Sequence, residues 1–256
     1  MAPLGSGSDY TPFLQHLGIA SLNIGFGGED NGGSYHSIYD SFDHYTRFGD
    51  PDFAYGIALS KVIGHAVLRL ANADTLPFEF TNFADTVNRY ANEVMRLADT
   101  MRDETRIMND QINNGMLLAV QDPTLKYTLP KAKEDVPFLN FAPLQNAVAS
   151  LNESAKRFQK ASAGKTLSAE ARKQLDLALM NTERAMTRRE GLPRRDWFRH
   201  QIYAPGFYTG YGVKTLPAIR EAIEQRDFRE ANEQIAIVSR VIENAADAID
   251  RAAKIY

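Results

Sequence analysis

The sequence predicts a mainly α protein, a four-helix-bundle-type domain preceded by the C-terminal remnant of an α/β domain. Three observations carry that prediction. Four segments beyond residue 80 repeat apolar residues at steps of three and four, the first 74 residues offer one convincing strand, and the texture changes at "TLPFEF", residues 75–80. A strand without neighbours can neither form a sheet nor hide its edges, so residues 1–74 read as the last part of a larger α/β domain whose earlier strands lie outside this chain.

Within residues 1–74, Ser8 is placed to cap a short helix through Leu17 that Gly18 closes. "IASLNIGF", residues 19–26, reads as a buried strand, and "GGEDNGGSYHS" as an irregular loop, because its clustered glycines resist regular structure. Asp50 and Pro51 supply the start signals of a long helix carrying Phe53, Ile57, Leu59, Val62, Ile63, Ala66 and Leu70. That helix is apolar over much of its circumference, which predicts packing against a sheet.

Residues 75–256 read as helical. The stripes are Phe83, Val87, Tyr90, Val94, Leu97 and Met101; Leu144, Val148, Leu151, Ala155 and Phe158; Leu175, Leu179, Thr182 and Met186; and Phe228, Ala231, Ile235, Val238, Ile242, Ala245, Ile249 and Ala252. Asp227 and Glu230 imitate a capping box ahead of the last one, which Ile237, Val241 and Ala248 widen toward a second neighbour. Periods near 3.5 imply a bundle with shallow crossing angles. Between the third and fourth stripes, residues 191–217 are rich in proline, glycine and aromatic residues, as in an ordered, functional loop.

Composition excludes several classes. The chain has 256 residues, 44% hydrophobic and 24% charged, with a formal charge of -3, which gives no electrostatic reason to expect nucleic acid as a partner. The five arginines of "TRREGLPRRDWFRH", residues 187–200, read as a salt-bridged corner. No stretch approaches the ~18 apolar residues of a membrane span. Without cysteine, a metal centre must use histidine and carboxylates. His36 lies in "YHS", and Asp40 follows four residues later, within reach if the backbone there is helical. His16, His44, His65 and His200 stand at no recognisable zinc spacing, and His65 reads as a core residue.

Four motifs carry a resemblance: "LGSGSDYTPFLQHLGIAS", "YHSIYDSF", "RHQIYAPG" and the proline-led terminal helical segment. In that order they are similar to the C-terminal portion of the glutamate carboxypeptidase II and transferrin receptor family. The resemblance implies that residues 1–74 are a zinc-exopeptidase remnant, and 75–256 a transferrin-receptor-like dimerisation domain. It implies a full-length, extracellular or periplasmic peptidase holding two zinc ions, with His36 the last metal ligand and Tyr35 stabilising the tetrahedral intermediate. Ser6, Gly7 and Ser8 would line the peptide substrate, and Tyr211 would reach its terminal carboxylate. Homodimerisation is implied; this chain alone would bind zinc weakly and hydrolyse nothing. Asn23, Gly25 and Gly210 stand where the acid-selective mammalian enzyme carries cations, which argues against a preference for acidic side chains. The alternative is a non-catalytic, receptor-like partner-binding module.

Overall fold

The computed structural model describes residues 3–27, 34–122, 124, 126 and 128–256. It is mainly α. The longer elements are α1 (Ala54–Ala71), α2 (Thr81–Asn113), α3 (Ala142–Ser162), α4 (Ala169–Arg184), α5 (Pro217–Glu224) and α6 (Phe228–Ala253). A two-stranded antiparallel ribbon, β1 (Tyr203–Pro205) and β2 (Val213–Thr215), pairs Tyr203 with Thr215 and Pro205 with Val213. The chain forms two compact units, one of residues 1–20 with 78–256 and the other of residues 21–77.

In the first unit α6 is the central element. It packs against α3, α4 and α5, while α2 packs against α3 and α5. Burial of Ala231, Ile235, Val238, Ile242, Ala245, Ile249 and Ala252 follows the expected stripe, and Val241 and Ala248 are buried beside it. Asp227 caps α6 by accepting from the Glu230 amide at 2.9 Å. The stripes of α3 and α4 are buried as their spacing predicts, with Met186 just beyond the end of α4.

On α2 the buried seam is different. Ala84, Ala91 and Ala98, seven residues apart, are buried with Val87, Tyr90 and Val94, whereas Phe83, Leu97 and Met101 lie half-buried at its edge. Alanines at that period allow a neighbouring backbone to approach closely, which the larger side chains would prevent. Polar side chains then fasten the segment between α2 and α3. Asn109 exchanges hydrogen bonds with the Lys133 backbone at 2.7 and 3.0 Å, and Arg102 donates to the carbonyls of Val136 and Pro137.

The first twenty residues join this unit through one buried glutamine. The Gln15 side chain donates to the carbonyls of Leu4 and Gly5, at 2.9 and 3.0 Å, and the Gln15 backbone carbonyl accepts from the amides of Arg199 and His200. The helical turn here is a π-helical one, Pro12–His16, with Thr11 ahead of it; Ser8 is not the cap but accepts from Thr11 through its carbonyl. Gly18 ends the turn at φ +64°, where an added Cβ would lie 2.9 Å from the Arg184 Cα.

The second unit departs from expectation in three places. Residues 19–26 form no strand, and Leu22 and Phe26 are 62% and 57% exposed. A strand requires a neighbouring strand for its backbone, and no strand pairing includes the described residues of this segment. Helix α1 forms, but none of its residues is buried: among the described residues no sheet covers it, and His65, like most of the helix, is exposed. Its cap is also displaced. Phe53, at φ +59°, precedes the helix, while the buried Asp50 reaches forward to accept from the Tyr55 and Gly56 amides. Most of the glycine-rich run, residues 28–33, lies outside the described residues. Among the described residues no single helix is long and apolar enough to cross a membrane.

Asp250 of α6 joins α3 through both guanidinium donors of Arg157, at 2.8 Å each, and the Ser154 hydroxyl at 2.9 Å. The Arg157 hydrogen bonds hold its carboxyl below the usual aspartate range despite partial burial. This contribution is complete above the ordinary pKa of ~3.9 and is lost as pH falls from there through the lower folded value. Asp250→Asn is expected to cost about 1 kcal/mol at pH 7 and less at pH 2, measured by urea unfolding at both values.

Candidate functional site

Residues 186–216 pass from α4 to α5 with little repetitive structure, yet they are ordered. Backbone bonds from Arg188 to Arg199, Leu192 to Phe198, Gln201 to Met186 and Leu216 to Ile202 fold the segment back on itself. Beneath the ribbon lies a buried ion pair, Arg195 Nη2 to Glu221 Oε2 at 2.6 Å. The other Glu221 oxygen accepts from the Phe207 amide at 2.8 Å, and Arg195 also donates to the Pro205 carbonyl and faces the rings of Phe198 and Phe207. One ion pair thereby anchors the strand and the tip that follows it. Arg188 and Arg194 pair with Glu190 and Glu230, so the arginine-rich tract is a salt-bridged corner.

The tip, residues 206–212, is closed by bonds from Gly206 to Gly212, Gly212 to Thr209 and the Thr209 hydroxyl to Gly212. It presents Tyr211, 65% exposed. The structure brings the predicted substrate-lining turn directly against this residue. Ser6 donates its amide to the Tyr211 carbonyl at 3.3 Å, and Gly7, at φ +96°, approaches the ring so closely that a Cβ would stand 3.0 Å from its carbons. Gly5 is tighter still, its hypothetical Cβ 2.4 Å from the Tyr211 carbonyl oxygen. Glycines in "LGSGS" are therefore needed for contact with the tip. Ser8 is exposed and turns away into the Thr11 bond.

Tyr35 and His36 belong to the second unit. Both are exposed, their rings stacked at 3.8 Å between centroids, and His36 adopts φ +57°, uncommon for a residue with a side chain. Asp40 does come close, through a turn instead of a helix, but its carboxylate accepts from the His36 amide at 3.1 Å and not from the ring. Among the described residues no three histidine or acidic side chains gather as a metal-binding group. At this place the chain thus offers the accessible imidazole of His36, which fits one position of a coordination sphere and does not complete it.

A further buried cluster was not visible in the sequence. His200 is fully buried and its Nε2 lies 3.0 Å from Glu183 Oε1, which also accepts from the Tyr203 hydroxyl at 2.7 Å. The rings of His200 and Tyr203 stack at 4.3 Å. Burial pushes the Glu183 carboxyl up, but the bonds from His200 and Tyr203 outweigh it and leave the carboxyl below its usual range. Burial, with the charge of Glu183, pushes the Tyr203 phenol well up, so it stays a donor. Spacing conceals the cluster, because its members come from the end of α4 and the start of the ribbon.

Comparisons place this architecture. Residues 139–250 match the transferrin receptor-like dimerisation domain. The chain is 31% identical over 249 residues to a probable glutamate carboxypeptidase, LAMP1, of Arabidopsis thaliana, covering 94% of this chain and 31% of that protein. It is 32% identical to a probable glutamate carboxypeptidase of Arthroderma benhamiae, covering 95% and 30%. The aminopeptidase NAALADL1 of Rattus norvegicus is 25% identical, with 99% and 31% covered. Fold and matches together define a helical domain of the transferrin receptor-like dimerisation class. Over nearly its whole length the chain is similar to proteins named as probable glutamate carboxypeptidases and aminopeptidases, and it spans about a third of the length of these relatives.

Glu221→Ala is expected to destabilise the chain by roughly 3–5 kcal/mol, because it strands a buried guanidinium. The same change should open the tip to proteolysis near Tyr208 before global unfolding, as followed by mass spectrometry of the first cleavage products.

Proposed function

We propose that the chain is the C-terminal part of a zinc-dependent exopeptidase: residues 75–256 form its homodimerising domain, and residues 1–74 the end of its catalytic domain. One observation carries the reading: the turn of Ser6 and Gly7 is seated on Tyr211 at an exposed tip that a buried ion pair holds in place. Two remote segments, the first of them a motif of the resemblance and the second following the "RHQIYAPG" motif, thus form one surface suited to a small polar ligand. Tyr211 would donate its hydroxyl to the carboxylate of a peptide, and Ser6, Gly7 and Ser8 would border the bound residue. In this reading His36 supplies one metal ligand, completed by residues outside the chain. When bound, a pair of zinc ions polarises a peptide carbonyl and lowers the pKa of an attacking water. Tyr35, beside His36, would donate its hydroxyl to the developing oxyanion.

The proposal extends to specificity. Asn23, Gly25 and Gly210 place no cation near these positions, so the peptidase should favour peptides without an acidic terminal side chain. Gly210 has φ +59° and open space where its Cβ would be. Gly210→Lys is therefore expected to be tolerated, at about 1 kcal/mol of backbone strain, and in the full-length protein to raise kcat/KM for acidic over neutral C-terminal residues. Equal ratios before and after the change would refute the specificity argument.

Sedimentation of the chain at micromolar concentration should show a dimer. In the full-length protein His36→Ala should lower zinc content and cut kcat/KM by at least about 100-fold. Undiminished hydrolysis in that variant would remove His36 from the site, and a full-length protein that neither binds zinc nor cleaves peptides would establish the receptor-like alternative.

A further inference from the structure

Next to the buried cluster, a cavity of about 150 Å³ opens between the start of α2, the end of α4 and α6. Phe78, Phe80 and Phe83 line it with Met186, and two carboxylate residues, Glu79 and Glu183, complete its polar side; no lysine or arginine contributes to the lining. The Thr182 hydroxyl, also there, is directed to the Leu179 carbonyl.

The two acids differ. Glu79 spends both oxygens on the first turn of α2, accepting from the Thr81 and Asn82 amides at 2.7 and 3.0 Å. Glu183 receives His200 and Tyr203 on the same oxygen, Oε1, and its Oε2 takes no hydrogen bond from the described residues. The His200 Nδ1 lies 3.3 Å from the Ile202 amide nitrogen, so the other ring nitrogen, Nε2, is the one that faces Glu183. Glu183 also has no lysine or arginine partner among the described residues. Glu183, buried at 8% relative exposure, thus keeps one carboxylate oxygen free of hydrogen bonds from the described residues and has no lysine or arginine beside it. Buried charges are ordinarily paired, since the uncompensated ion loses its hydration.

We propose that this cavity is a binding site for a small organic ammonium ion. Phenylalanine faces attract a cation through their quadrupoles, and the carboxylate supplies its counter-charge. A cavity of this size holds a benzene-sized guest, comparable to a tetramethylammonium ion. An inorganic cation fits poorly, because calcium and magnesium need six or more oxygens and this wall is aromatic and thioether. The site lies wholly within the first unit and is independent of the proposed peptidase chemistry.

The test is a titration of the 256-residue chain, followed by NMR of its phenylalanine rings, with tetramethylammonium chloride against neopentyl alcohol, its neutral near-isostere, at fixed ionic strength. Saturable shifts are expected for the cation, with affinity at least about tenfold above that for the alcohol. Glu183→Gln should remove that preference. Should Glu183→Gln fail to fold, Phe78→Leu decides: it keeps an apolar wall and removes an aromatic face, so it should weaken the cation about fivefold and leave the alcohol unchanged. Equal affinity for the two probes, an absence of saturable shifts, or unaltered cation binding in the folded variants would overturn the proposal.

Discussion

Helix α6 must bury more than one face, and the rest of the helical unit is arranged around that need. Its stripe from Ala231 to Ala252 would satisfy a single neighbour, yet Val241 and Ala248 are also buried, and α3, α4 and α5 all pack on it. A helix that is apolar over so wide an arc is stable in water only when several partners enclose it. The short helix α5 shows the consequence. At eight residues it is too short to stand alone, but Ala218, Ile219, Ala222 and Ile223 are covered, and Glu221 on the same helix reaches the ribbon through Arg195.

Around this apolar centre the connecting segments are held by polar groups. Strands of three residues contribute little by themselves, so the order of residues 186–216 comes from buried donors and acceptors: Gln15 joined to Arg199 and His200, Arg195 to Glu221, Glu183 to His200 and Tyr203. Satisfied polar groups in a low-dielectric interior are strong and directional, which suits them to positioning a loop instead of merely compacting it. Tyr211 is exposed on a tip fixed from below, and the glycines of the N-terminal turn let that turn lie against it.

Residues 21–77 behave differently. Asp50 accepts from the Tyr55 and Gly56 amides and organises the start of α1, but from four residues ahead of the helix instead of from the cap position that the sequence suggests, which Phe53 takes. What the sequence promised beyond that was burial, and burial is not local. Leu22 and Phe26 remain exposed, as do Ile57, Val62 and Leu68 of α1, because apolar periodicity states only that a face wants cover. It does not supply the covering surface. The same reasoning separates His65, expected inside and found exposed, from His200, which no spacing rule selected and which is fully buried.

The sequence by itself determined the mainly α class, the places of the four striped helices, the cap at Asp227 and the character of the 191–217 loop, since each depends on side chains a few positions apart; it did not show that α2 continues twelve residues past Met101 to Asn113. It also carried the motifs of the resemblance, which nominate Tyr35, His36 and Tyr211. Only the tertiary structure decided that Ala84, Ala91 and Ala98 join Val87, Tyr90 and Val94 in the seam of α2 while Phe83, Leu97 and Met101 stay at its edge, that Ser6 and Gly7 meet Tyr211, and that Glu183, His200 and Tyr203 share one buried cluster. Those outcomes join residues far apart along the chain, and no periodicity encodes such a pairing: it arises when helices close on one another and every buried polar group must find a partner.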